Sequence, residues 1–188
     1  MGKSGFGKRR SKLEDAFFAE RDKELLQALR EKAATAERKK ALADATGIHD
    51  ENLIEQLDQL DFSGETLAAL SLVPLVVVAW SDGSIEDKER QAVLEAAEQR
   101  GIEKDHIAHE LLERWLKQKP DAKLLEVWKG YATALMLTLS PPAAKALRED
   151  LMDRARAVAL AAGGFLGLGN KISKAEQAVL DELEKAMQ

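Results

Sequence analysis

The stretch Val77-Val78-Ala79-Trp80-Ser81-Asp82-Gly83-Ser84-Ile85-Glu86-Asp87-Lys88-Glu89 decides the fold. An apolar run ends at a tryptophan, crosses a short turn of Ser, Asp and Gly, and re-enters a charged amphipathic pattern. Gly83 is free to adopt the positive φ that such a turn asks for. Acids at 86, 87 and 89 suit the first turn of a following helix, where they face the positive end of its dipole. The unit is therefore helix, turn, helix. It recurs: the apolar run 158–162 leads into the glycine-rich segment 163–169, then Ile172-Ser173-Lys174-Ala175-Glu176 and Gln177-Ala178-Val179-Leu180, which matches Gln91-Ala92-Val93-Leu94 with a one-residue slip. Two such helix pairs predict a bundle with a pseudo-twofold repeat.

Helical spacing continues on both sides. Residues 13–42 place Leu13, Phe17, Phe18, Leu25, Leu26 and Leu29 on one narrow apolar face, which predicts a helical arm over 13–45. Gly47 ends the arm, and Asp50 is placed to cap a short helix carrying Leu53, Ile54, Leu57 and Leu60. Ser63 opens an apolar helix over 66–80, in which Pro74 must kink the chain or start a new helix. A helix over 86–100 turns Ala92, Val93, Ala96 and Ala97 inward and stops at Gly101. The next, over 105–117, is expected to bury Ile107, Leu111, Leu112 and Trp115; one over 121–139 buries Leu124, Leu125, Trp128, Leu135 and Leu139. Ser140-Pro141-Pro142 launches a helix running to about residue 162, and Ser173 with Glu176 has capping-box spacing for the last one. No period-2 run of β-branched residues occurs, so the chain is predicted all-α: a basic tail over 1–12, the arm over 13–45 and a compact helical bundle over 46–188.

The composition narrows the chemistry. Among 188 residues there is no cysteine, which excludes disulfide scaffolds, thiolate metal sites and cysteine nucleophiles and makes a cytoplasmic setting the natural expectation. The net charge of −5 conceals a split: residues 1–12 carry five bases and no acid, whereas residues 41–87 carry ten acids and no Lys or Arg. The longest uncharged stretches, 66–81, 130–144 and 157–170, fall short of the roughly 20 residues of a membrane span and read as core. No apolar run follows the basic tail, so it is not expected to be a signal peptide, and Phe6 stands where a myristoylation signal needs Ser or Thr. The tail suits an anionic membrane surface, giving a membrane-peripheral location, or the chain's own acidic block; nucleic acid is disfavoured because an acidic domain repels a duplex.

Segment 77–89, together with the later glycine-rich loop and Asn170-Lys171-Ile172-Ser173-Lys174-Ala175-Glu176, resembles the TerB-like (tellurite-resistance B) helical family over about residues 62–188. The resemblance implies a compact all-helical, non-enzymatic stress-response domain that binds divalent metal through its acidic loop and works with protein partners or copies of itself near membranes. The chain departs from that pattern in its second loop, where Leu168 replaces an acid, and in its long N-terminal extension.

The residues themselves nominate Asp82, Glu86, Asp87 and Glu89 as metal ligands, for calcium or another divalent cation. A hard cation wants several oxygens at once, and an Asp on a glycine turn followed by carboxylates in the next helical turn can supply them. A plain structural role competes: Glu86 occupies the capping position that Ser173 fills in the other repeat, and Glu89 falls at N3, where it closes a capping box. The spacing is not that of an EF-hand, whose twelfth position here would be Val93. His106 and His109 with Glu103 form a single Glu-x-x-His, short of the ligands a zinc or di-iron site needs, and read as a solvated helix face. In the segment 163–169, Asn170 stands where a phosphate loop needs Lys, so this segment reads as a close-approach loop with Phe165 and Leu166 plugging the core. With three histidines, one tyrosine and no recognisable triad, no catalytic residue is nominated.

Overall fold

Caps and breakers divide the chain into helices, and the burial of those helices then selects their faces. The computed structural model describes residue 27, residues 29–162 and residues 172–188. The basic tail, the arm up to residue 26, and the loop 163–169 with Phe165 and Leu166 lie outside the described residues. The chain divides into two units, Met1–Ala41 and Leu42–Gln188. In the first, residues 29–41 are helical, with exposed side chains apart from the partly covered Thr35 and Lys39.

The described residues of the second unit form helices joined by turns, with no strand among them. A helical turn over 42–46 carries the wholly buried Leu42 and ends at Gly47, whose φ is +68°. Helix α1 (Glu51–Gln59) is capped by Asp50, whose carboxylate accepts from the Leu53 N–H at 2.8 Å. The apolar stretch after it divides into α2 (Leu67–Leu70) and α3 (Val73–Ala79), because Pro74 has no N–H to give and is tolerated only in the first turn of a helix. There follow α4 (Asp87–Glu98), α5 (Ile107–Lys117), α6 (Lys123–Thr138), α7 (Pro141–Ala162) and α8 (Lys174–Ala186).

Helix α3 is the hub. It packs against α4, α6, α7 and α8, and its Val73, Leu75, Val76 and Val78 are at most 1% exposed. The two repeat units, α3 with α4 and α7 with α8, pack on each other through α3–α7, α4–α7 and α3–α8 contacts. Helix α1 lies on α6, where Gly130 makes room: a Cβ there would meet Leu53 Cδ1 at 3.3 Å. Lys129 of α6 donates to Glu126 at 2.9 Å and also to Glu182 of α8, while Thr133 Oγ1 donates to the Ala186 carbonyl at 3.1 Å. No helix among the described residues is long and apolar enough to cross a membrane.

Several faces differ from expectation. Ile107, expected inside, is 48% exposed, because the buried stripe of α5 runs through Ala108, Leu112, Trp115 and Leu116, one position further round. That rotation also carries His109 inward, so the histidine pair is not a solvated face: His109 is buried, while the His106 side chain accepts from the Ala108 N–H at 3.1 Å and caps α5. On α6, Leu125 and Leu135 are only partly covered, as is Leu139 just past its end, and Val127 and Ala132 take the interior beside Leu124 and Trp128.

Candidate metal centre

The acidic turn is held at both ends. Where α3 finishes, the Trp80 indole N–H donates to the Trp115 carbonyl at 2.9 Å, bracing the exit against the last turns of α5. The chain then reverses: the Gly83 N–H donates to the Trp80 carbonyl at 3.0 Å, with Gly83 at φ +95° as its sequence position predicts. Asp82 Oδ1 accepts from the Ser84 N–H at 3.1 Å, a side chain standing in for a backbone turn.

Glu86 is the N-cap of α4, and Glu89 at N3 reaches back so that its Oε2 accepts from the Glu86 N–H at 2.8 Å. Helix α8 begins in the same way. The Glu176 carboxylate accepts from the Ser173 N–H, and Ser173 Oγ accepts from the Glu176 N–H at 3.1 Å. Each pair satisfies helix-end donors that would otherwise be orphaned.

Both N3 glutamates are inside, Glu89 at 3% and Glu176 at 6% exposure. Burial is the main force on the Glu89 carboxyl, raising it; the hydrogen bond from Glu86 opposes this, and repulsion from Asp82, Glu176 and Glu86 adds to it. The result is a carboxyl pushed up from 4.5 to about 7. Asp82, Glu86 and Asp87 are exposed. Asp87 does not figure among the groups acting on Glu89; it borders a shallow depression with Lys88, Gln91 and Glu95.

Of the four nominated ligands, Asp82, Glu86 and Glu89 thus share one electrostatic neighbourhood, and Asp87 stands beside it. The structure adds Glu176, which the capping motif of α8 had already marked, although nothing in the sequence placed it near Glu89. Among the described residues, no three His, Asp or Glu side chains are gathered as a ready cation cage. The sequence matches no family model, and no curated protein or solved structure is significantly similar to it.

Proposed function

We propose that the chain is a non-enzymatic, TerB-like stress-response module whose acidic turn takes a calcium-like divalent cation and which acts through a protein partner. One observation supports the cation-binding part of this reading. The Glu89 carboxyl lies among Asp82, Glu86 and Glu176, and among the described residues no cation acts on it appreciably. A bound cation there offsets the repulsion and draws off the Glu89 proton. The donor set is all oxygen, which suits a hard cation. Glu89 has committed one oxygen to the Glu86 N–H and offers the other, while Asp82, Glu86 and Asp87 must turn in from exposed positions. That rearrangement places the expected affinity at the weak end, about 10⁻⁴ to 10⁻³ M. Millimolar calcium is expected to raise the melting temperature by about 2–4 °C, and Asp82→Asn combined with Asp87→Asn to abolish the rise. An unchanged melting curve, or an equal rise in the double variant, overturns the reading.

A different observation favours a metal-free assembly module. Residues 29–41 form a helical segment of a separate unit with nearly all side chains in solvent, and a helix of that kind gains stability when a partner covers it. On this reading the arm docks onto another protein or a second copy. Deleting residues 1–41 is then expected to abolish self-association or partner binding in sedimentation while leaving the rest folded. Survival of both interactions after deletion rules the arm out as the docking element.

A further inference from the structure

Away from the acidic turn, a cleft of about 170 Å³ opens beside α6 and α7, walled by Trp128, Tyr131, Leu135, Leu151 and Met187. Its walls are mostly apolar, and burial raises the Tyr131 phenol above its usual range. The charged residue lining it is Arg100, just beyond the end of α4. The Arg100 guanidinium donates through Nη2 to Asp150 at 2.6 Å, and its buried Nε has no partner among the described residues.

Asp150 is shared. Arg154 also donates to it, from Nε at 3.0 Å, and the buried Nη1 of Arg154 is likewise unpartnered. Two guanidinium groups therefore lean on one carboxylate, and of the two it is Arg100 that lines the cleft. A buried donor without an acceptor is costly, and an anion that reaches the Arg100 guanidinium from the cleft relieves that cost. An apolar pocket with one or two placed polar groups is the usual form of a small-molecule site. An apolar cavity of about 150 Å³ holds a benzene ring, so a body of about six carbons fits the space.

We propose that this cleft binds a small amphipathic monocarboxylate, of the short-chain fatty acid class, with its carboxylate on the Arg100 guanidinium and its apolar body against Trp128 and Leu151. The site is independent of any cation at the acidic turn. A planar, permanently charged guanidinium suits a carboxylate, and the mostly apolar walls suit a hydrocarbon body.

The test titrates the full chain with hexanoate, using calorimetry and the NMR signal of the Trp128 indole, with hexanol and hexylammonium as comparison probes. Saturable hexanoate binding is expected, about tenfold tighter than hexanol, with hexylammonium weakest. Arg100→Gln is expected to erase the preference for the acid while keeping hexanol binding, and Arg100→Lys to restore part of it. If Arg100→Gln does not fold, the ranking of the three probes on the unaltered chain, with a shift of the Trp128 indole, decides the matter. Equal affinity for hexanoate and hexanol overturns the proposal, as does an unmoved Trp128 signal. So does a dimer that covers the cleft and ignores hexanoate.

Discussion

Replacing Leu75 with alanine is expected to lower the unfolding free energy by about 3 kcal/mol and the melting temperature by roughly 10 °C. Leu75 is 1% exposed on α3, the helix that packs against α4, α6, α7 and α8. Removing its isopropyl end loses the transfer free energy of three buried carbons and leaves a cavity in the core that the packed surroundings close only in part. Leu137 on α6 is the matched control: it is 84% exposed, and its alanine variant is expected to change stability by no more than about 0.5 kcal/mol. Urea unfolding of both variants measures the difference. Equal losses would mean that α3 is not the hub of the core.

The second large effect concerns pH. The Glu89 carboxyl rises from 4.5 to about 7 on folding, so the folded chain holds this proton more tightly than the unfolded chain. Its stabilising contribution is fully present below 4.5 and is lost as pH rises through about 7. Glu89→Gln keeps an oxygen to accept from the Glu86 N–H and removes the titration. Relative to this variant, the unaltered protein is expected to lose on the order of 2 kcal/mol across that window. The variant is therefore the more stable of the two at neutral pH and above, measured without divalent cation. Parallel stability curves for the two proteins would show that the Glu89 carboxyl titrates normally. A calcium-dependent loss of the difference would tie this carboxyl to cation binding.

Both predictions turn on features whose local part was legible in the sequence. Asp50, Ser173 and Glu176 announce their caps because a side chain accepting from a backbone N–H three residues on, or for Glu176 three residues back, is settled by spacing alone. Pro74 starts a helix, and Gly83 and Gly101 take positive φ, for reasons contained in each residue. Helical periodicity likewise disclosed Leu53, Ile54, Leu57, Val93, Leu112 and Trp115 as interior. It failed by one position on α5, where Ile107 and Ala108 exchange inside and outside. A stripe of small and large apolar residues specifies a face only to within a residue, and the neighbouring helix selects the register.

What the sequence by itself determined is the run of helices, their caps and their breaks, together with the uneven charge that sets a basic tail against the acidic block 41–87. These depend on bonds and torsions within a few residues of one another. Only the tertiary structure decided that Glu89 and Glu176 bury their carboxyls in one neighbourhood, that His109 points inward, and that Arg100 meets Asp150 beside a cleft. Each of these joins segments far apart in the chain. Burial and long-range charge depend on which helix faces which, and that is settled by the packing of the whole core.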